Sequence, residues 1–265
     1  MKSVYRWVSE HSGLCRALLF LLLLSFTVYA ATFEYVDFLS IYLLDLAVWF
    51  FLGRFISTAP VKLLQEPVEQ LQQQCDPYPM MEETQRQLSR HFDGPHRQLL
   101  EINYAAALRE TGEFEKAWQL LEEINIDKFP GTTPYLKYIY YHNLCDINYV
   151  LDRRDEARIW HRKVRQIHRD ILPSKGKLDL DATHDLMEAD ILYYEGNYED
   201  ALRKVAWIKL PNRKMALDGA LLAAKCHIAL EEPEKAREKL QYVIDNGNKL
   251  YIVREAEALL EALNG

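Results

Sequence analysis

Residues 104–121 read Tyr-Ala-Ala-Ala-Leu-Arg-Glu-Thr-Gly-Glu-Phe-Glu-Lys-Ala-Trp-Gln-Leu-Leu, and residues 189–205 read Ala-Asp-Ile-Leu-Tyr-Tyr-Glu-Gly-Asn-Tyr-Glu-Asp-Ala-Leu-Arg-Lys-Val. The two stretches share the pattern Gly-x-aromatic-Glu-x-Ala, which begins at Gly112 in the first and at Gly196 in the second. Helical patterns flank each copy. Glycine is favoured where a helix ends in left-handed backbone, and a small alanine after the turn lets two helices approach closely. Each stretch therefore predicts two helices joined by a tight turn.

Two weaker copies of the pattern are present. One runs from Asp152 to Ala157 and lacks both the glycine and the aromatic residue. The other runs from Glu231 to Ala236 and has Pro233 in the aromatic position. The four alanines lie 40, 44 and 35 residues apart, at Ala117, Ala157, Ala201 and Ala236.

The pattern resembles the tetratricopeptide repeat, whose period is about 34 residues. The first two connections are longer than this period, which places insertions at residues 126–134 and 172–180. The resemblance covers residues 97–265 and implies an α-solenoid of about four helix pairs, in which residues 250–263 form a C-terminal capping helix. An array of α-hairpins from another helical repeat class is the alternative. No strand pattern stands out, so the expected fold class is all-α.

The resemblance also implies that the chain binds a protein or peptide partner in a concave groove lined by the first helix of each pair. The polar residue types favour an amphipathic or basic segment as that partner. Ile102 and Ala106 occupy the leading positions, so the carboxylate clamp known from one subclass of the family is not expected. In the alternative interpretation several groove residues only pack the helices. The groove positions are Ile102, Ala106 and Arg109, then His142, Asp146 and Tyr149, then Leu186, Asp190 and Tyr193, and finally Leu221, Lys225 and Ile228.

Two apolar runs near the N-terminus, residues 17–31 and 38–52, predict a membrane segment. A single helix across both runs would measure about 54 Å, well beyond the roughly 30 Å of a hydrocarbon core. We therefore expect two spans joined by the acidic turn at residues 32–37, which together form a transmembrane hairpin over residues 17–54.

Basic residues flank this hairpin on one side only. Lys2, Arg6 and Arg16 precede it, Arg54 and Lys62 follow it, and the turn contains no Lys or Arg. The positive-inside rule then predicts that both termini and the repeat region are cytoplasmic, in the style of a bacterial inner-membrane protein. The alternative is a secretory signal peptide, with Val28-Tyr-Ala30 as the cleavage site, which would leave the second run as a lone anchor.

Residues 1–16 are expected to form a cytoplasmic N-terminal segment, and residues 55–96 a linker of short helices and turns. Ala59-Pro60 could open a helix, Pro67 should kink or split it, and a further short helix is expected over residues 80–91. The sequence Asp93-Gly-Pro95 should break the chain before the repeats begin.

Two charged features do not follow from the fold. Asp45 lies in the middle of the second span, either as a contact with another membrane helix or as a protonated or hydrated residue on the inner face of the hairpin. The second feature is a row of arginines at helical spacing, here called the arginine stripe. The stripe is either a solvated face neutralised by nearby acids or a contact with anionic lipid or an acidic partner. It consists of Arg154, Arg158, Arg162, Arg165 and Arg169.

Composition and motifs argue against several classes of protein. The 265 residues carry a net charge of −7 at pH 7, which disfavours nucleic-acid binding. The four cysteines lie far apart and are expected to be free thiols, and no histidine spacing suits a metal site. No nucleophile, P-loop, dinucleotide or metalloprotease motif occurs, so neither an enzyme nor a cofactor is expected.

The sequence therefore favours a membrane-anchored scaffold that binds another protein. A structural or assembly subunit of a larger membrane complex, with the hairpin as the assembly element, is the alternative. An extracytoplasmic assembly factor is a third possibility, and it depends on the signal-peptide interpretation.

Overall fold

A computed structural model of the chain describes residues 2–33, 38–90, 95–128, 132–171 and 177–265. These residues are overwhelmingly helical, and none of them lies in a strand, which confirms the all-α expectation. The chain divides into two compact units, Met1–Glu66 and Pro67–Gly265.

The first unit contains α1 (Lys2–Glu10), α2 (Ser12–Phe33) and most of α3 (Phe38–Glu69). Two stretches are long and apolar enough to cross a membrane: Ser12–Ala30 in α2, and Leu39–Gln74, which covers most of α3 and the five residues after it. Most of their large apolar side chains point away from the protein, as lipid-facing side chains would. Arg16 donates a 3.2 Å hydrogen bond to Ser57, and Thr27 donates one to Asp45. The two contacts place the helices side by side in opposite directions.

α1 packs against the part of α3 that contains Phe55 and Glu66. The Tyr5 and Phe55 rings lie 5.5 Å apart, and Lys2 forms a 2.7 Å ion pair with Glu66. Val4 and Trp7 are exposed on the apolar face of α1, whereas Lys2, Arg6 and Glu10 share its polar face. The N-terminal segment is therefore an amphipathic helix.

The region beyond residue 54 differs from the expected series of short helical pieces. α3 continues without interruption through Pro60 and Pro67 to Glu69. Ile56, Ala59 and Leu63 are all buried and share one face on both sides of Pro60. Packing of this face outweighs the roughly 3 kcal/mol that a proline costs inside a helix.

A π-helical turn at Gln70–Gln74 follows α3 directly, and Cys75 ends it in left-handed backbone with φ 57°. The short helix expected over residues 80–91 is α4 (Tyr78–Leu88). The expected break at Asp93-Gly94, the acidic turn after Phe33, and parts of both proposed insertions lie outside the described residues.

After α4, the described residues of the second unit form four helical hairpins and a final helix. The hairpins are α5 (Pro95–Thr111) with α6 (Phe114–Glu122), α7 (Pro134–Val150) with α8 (Arg154–Asp170), α9 (Lys177–Tyr194) with α10 (Tyr198–Trp207), and α11 (Arg213–Ala229) with α12 (Pro233–Asn246). The expected last helix is α13 (Tyr251–Asn264).

The four hairpins turn in the same way, although only two of the turns contain glycine. In each turn one residue, directly after the first helix or one position further on, has positive φ: 86° at Gly112, 55° at Asp152, 84° at Gly196 and 59° at Glu231. Its amide donates to the carbonyl three residues earlier, at 2.9–3.1 Å, and the next amide donates to the carbonyl five residues before it, at 2.8–2.9 Å. This pair of hydrogen bonds is the Schellman motif. The four alanines after the turns are fully buried, as the sequence pattern predicts.

The second unit also closes on itself, which the sequence analysis did not anticipate. α13 packs on α12, as a capping helix should, but it also contacts the turn of the first hairpin. The Tyr251 ring meets the edge of Phe114 at 5.0 Å, and Arg254 donates a 2.6 Å hydrogen bond to the Thr111 carbonyl.

The π-helical turn and α4 contribute to the same closure. Leu71 and Met80 share an apolar cluster with Leu217 and Leu250 of the last helices. Lys249 forms a 2.7 Å ion pair with Asp76. The two ends of the unit therefore meet, and the inner faces of its first helices surround a partly enclosed space.

Candidate functional site

The inner space is a cavity of about 450 Å³ within the second unit. Side chains from the first helices of all four hairpins line it, together with residues of α13. Most of the predicted groove positions are found there: Ile102, Ala106, Arg109, His142, Asp146, Tyr149, Leu186, Asp190, Leu221 and Lys225.

Two predicted groove residues do not line the cavity. Tyr193 is half-buried in the apolar cluster around Leu186 and Ala201, with its ring 5.7 Å from that of Tyr198. Ile228 packs in the cluster that contains Leu217 and Leu250. Both residues lie in the last turn of their helix, next to the Schellman turn.

The inward positions share one face of each helix because of their spacing. Residues 102, 106 and 109, and likewise residues 142, 146 and 149, follow the four-and-three spacing of a helix face. The buried alanines at Ala117, Ala157 and Ala201 fix the second helices close behind them. The hairpin geometry therefore directs the predicted residues inward.

Arg109 lies at the centre of an ion network in the cavity wall. Its guanidinium contacts Asp146 at 2.7 Å and Glu110 at 2.7 Å. Burial opposes the charged form, but the carboxylates of Glu110 and Asp146 outweigh it and raise the pKa of Arg109. Arg109 therefore stays charged, and it ties α5 to α7.

A second part of the network comes from α11. Lys214 contacts Glu110 at 3.1 Å and Asp218 at 2.7 Å. Burial again opposes ionisation, and the two carboxylates raise the pKa of Lys214. In turn, Lys214 and Arg109 lower the pKa of Glu110 against its burial.

Lys225 is held by the final helix. Its ammonium lies 2.5 Å from the Glu255 carboxylate of α13. Despite burial, Glu255 raises the pKa of Lys225. This ion pair connects α13 to the cavity wall.

Asp190 differs from the other carboxylates of the cavity. It forms no hydrogen bond or ion pair with any other described residue, although Lys225 and Arg109 are near enough to act on it electrostatically. Burial raises the pKa of Asp190 to about 8, and the neighbouring Asp146 carboxylate contributes to the rise. At neutral pH this side chain therefore holds a proton for most of the time.

His142 completes the polar lining that the sequence predicts. Its Nδ1 lies 3.4 Å from Asp146, and burial lowers its pKa. The imidazole is therefore neutral at pH 7 and adds no charge to the cavity.

Sequence reasoning missed four charged residues of this site. Lys214 and Asp218 lie on the same helix face as Leu221 and Lys225, so the groove spacing extended towards the start of α11 would have found them. Glu110 lies beside Arg109 and is buried. No sequence pattern pointed to Glu255 as a lining residue, because α13 was expected only to cap the array.

All five members of the arginine stripe are exposed on α8. Three of them lie near acids: Arg154 to Asp152 at 2.8 Å, Arg158 to Asp155 at 3.5 Å and Arg165 to Glu188 at 3.6 Å. Arg162 and Arg169 have no ion pair among the described residues. The stripe is thus neutralised in part.

Asp45 faces the inside of the α2–α3 hairpin. One carboxylate oxygen accepts a hydrogen bond from Thr27, and the other is buried without a partner in the described part of the chain. The side chain is therefore turned away from any further helix on the outside.

Neither the cysteines nor the histidines form a recognisable reactive centre in the described ranges. Cys75, Cys145 and Cys226 are buried free thiols. His161 and His168 of α8 each contact a carboxylate of α9, Glu188 at 2.7 Å and Asp181 at 2.8 Å. No group of three or more potential metal ligands is found among the residues that the structure describes.

No family model matches the chain, and comparisons with curated proteins and with solved structures find no match either.

Proposed function

We propose that the chain is a membrane-anchored binding protein with a tetratricopeptide-like helical unit, and that it binds a short segment of a partner protein in the interior cavity. The supporting observation is the convergence of four first helices on one cavity. Ten of the twelve positions inferred from the repeat resemblance lie in its lining.

The four identical turns favour the repeat interpretation. Two of them lack the glycine of the sequence pattern yet adopt the same backbone and hydrogen bonds. Repeats of this kind present inward side chains at regular intervals, which suits recognition of an extended segment. The polar and aromatic lining gives such a segment both hydrogen-bonding groups and apolar contact area.

Anchoring by α2 and α3 would hold the binding unit at a membrane and raise the local concentration of whatever it binds. The basic residues on both flanks of the apolar helices favour cytoplasmic termini and a bacterial inner membrane as the location. Catalysis is not part of the proposal. The alternative, an assembly subunit with the hairpin as its assembly element, has less support because Asp45 is turned into the hairpin.

Site-specific photocrosslinking tests the binding function. Tyr135 lines the cavity and is 55% exposed, whereas Tyr242 is 44% exposed on α12 and lies away from the cavity. Each tyrosine is replaced in turn by p-benzoylphenylalanine in the full-length chain, in native membranes. We expect a discrete adduct from position 135, none from position 242, and loss of the adduct when Ala106→Trp fills the cavity.

Equal adducts from both tyrosines, or an adduct that survives Ala106→Trp, would argue against binding in the cavity. Topology is tested separately with a cysteine placed at Glu34. Labelling of this cysteine by an impermeant maleimide only from outside the cell supports the hairpin orientation. A mature protein that begins at Ala31 would instead establish signal-peptide cleavage.

A further inference from the structure

We propose that the cavity recognises a cationic group of its ligand, an alkylammonium or guanidinium, through the carboxylate of Asp190. This inference rests on the binding function proposed above and specifies the chemistry of what is bound.

The charges of the lining favour a cation. Among the described residues, three basic side chains and five carboxylates line the cavity, an excess of two negative charges when all are ionised and of one while Asp190 holds its proton. The single lining histidine, His142, is neutral at pH 7 because burial lowers its pKa. The basic residues are Arg109, Lys214 and Lys225, and the acids are Glu110, Asp146, Asp190, Asp218 and Glu255.

The basic residues already have partners. Arg109 lies between Glu110 and Asp146. Lys214 contacts Glu110 and Asp218, and Lys225 contacts Glu255. Four of the five carboxylates are thus engaged by protein cations, whereas Asp190 forms no ion pair with any described residue. An anionic ligand would have to break these pairs, whereas a cation would find a carboxylate without an ion pair.

The surroundings of Asp190 suit a cation on an apolar stem. Leu186 and Ile191 of the same helix line the cavity, as do Tyr149 and Tyr194, whose rings stack on each other with centroids 4.7 Å apart. Aliphatic carbons of a ligand can pack on these side chains, and the faces of tyrosine rings attract cations. A cavity of about 450 Å³ holds a small amine or one basic side chain with its immediate neighbours.

The charges that face Asp190 come from three neighbouring helices. They are Asp146 on α7, Arg109 on α5, and Lys225 and Asp218 on α11. Burial is the largest influence and raises the pKa of Asp190 to about 8, with Asp146 and Asp218 acting in the same direction and the two cations against it. A cation that binds here must displace the proton, so binding should release protons at neutral pH.

This competition sets the pH dependence of binding. Only the ionised carboxylate binds the cation, and with a pKa near 8 its ionised fraction rises about fifty-fold between pH 6 and pH 8. The affinity for a permanently charged probe is expected to rise by a similar factor over this range and to level off above it.

The experiment is calorimetric titration of the full-length chain in detergent micelles. The probes are two capped tripeptides, acetyl-Leu-Lys-Leu-amide and its norleucine analogue, and two free small molecules, n-pentylamine and 1-pentanol. Asp190→Asn removes the charge with little change of shape. Asp185→Asn is the matched control, because Asp185 lies on the same helix, is half-exposed, and pairs with Lys204 at 2.8 Å.

At least tenfold tighter binding of a charged probe than of its neutral analogue, rising with pH and lost in Asp190→Asn but kept in Asp185→Asn, supports the proposal. Preference for the lysine peptide identifies a basic segment as the source of the cation, and preference for pentylamine alone identifies a free amine. A charged probe that binds no better than its neutral analogue overturns the proposal, as does discrimination that survives Asp190→Asn.

The pH dependence of the affinity of the wild-type chain for the charged probes tests recognition by Asp190 without any variant. Crosslinking from position 135 that persists without charge discrimination would leave the binding function standing and remove only this inference.

Discussion

The closure of the helical unit can be tested at one glycine. Gly112 and Gly196 occupy the same position of two equivalent turns, with φ 86° and 84°. A Cβ at Gly196 would meet open space, whereas a Cβ at Gly112 would collide with the base of the Tyr251 ring. Alanine at either glycine therefore bears the cost of left-handed backbone, and only alanine at Gly112 also bears that of a clash with Tyr251.

The shared cost is that of placing alanine in left-handed backbone, about 1 kcal/mol. The additional cost at Gly112 is that of overpacking, typically about 1–3 kcal/mol, because Tyr251 is held against Phe114 and has little room to move. We expect Gly196→Ala to lower the free energy of unfolding by about 1 kcal/mol and Gly112→Ala to lower it by about 2–4 kcal/mol. For a unit of this size the melting temperatures should fall by about 3 °C and about 6–12 °C.

Thermal unfolding of residues 67–265, followed by circular dichroism, measures both effects. A double-mutant cycle with Tyr251→Ala isolates the contact, because removal of the ring makes room for the new methyl group. In that background Gly112→Ala should cost no more than Gly196→Ala. Equal losses in the two glycine variants, or an excess at Gly112 that persists without the Tyr251 ring, would refute the contact between α13 and the first hairpin.

Four further predictions follow from the same structure. Residues 67–265 should be soluble, helical and cooperative in thermal unfolding, and residues 97–265 should melt at a lower temperature because they lack the π-helical turn and α4. Equal melting temperatures of the two fragments would show that the π-helical turn and α4 do not stabilise the fold. Ala201→Leu should lower the melting temperature through overpacking, by about 1–3 kcal/mol of stability, while the same change at exposed Glu122 should have little effect. Asp190→Asn should raise stability more at pH 8 than at pH 5, since an acid with a raised pKa destabilises the fold progressively as pH rises from its unfolded value of about 3.9. Chemical denaturation at the two pH values measures the effect, and an equal gain in the free energy of unfolding at both would contradict the prediction. If the arginine stripe contacts lipid, the soluble unit should bind phosphatidylglycerol vesicles at low salt and release them at high salt, and charge reversal of Arg158, Arg162 and Arg165 should abolish this binding without unfolding.

The parts of the fold that were predictable from sequence are local and periodic. Gly112 and Gly196 mark turns because left-handed backbone favours glycine. Asp152 and Glu231 adopt the same backbone without that signal, and they were located only through the alanine that follows each turn. The resemblance to the tetratricopeptide repeat then selected Arg109, Asp146 and eight further residues that line the cavity, together with Tyr193 and Ile228, which do not.

What the sequence did not predict depends on contacts between distant parts of the chain. Arg254 and Thr111 are 143 residues apart, and no periodic pattern relates them. The same holds for the pairing of Glu255 with Lys225 and for the apolar cluster that joins Leu71 to the last helices. At Pro60 the error was different, since a local rule for proline was outweighed by burial of the helix face on both sides of it.

The polar lining of the cavity is hard to explain as a device for stability. The fold is held by buried alanines, Schellman turns and apolar clusters, and none of these needs an ion network in the interior. Buried ion pairs often contribute less than well-packed apolar residues of similar volume, because each charge must be desolvated. Asp190 costs more stability still, since it forms no ion pair with any residue that the structure describes and keeps its proton at neutral pH. A helical unit selected only for stability would favour apolar side chains at these inward positions. On the proposal made above, Asp190 is the cavity carboxylate left for a ligand, and the contact of Tyr251 with the first hairpin closes the helical unit around it.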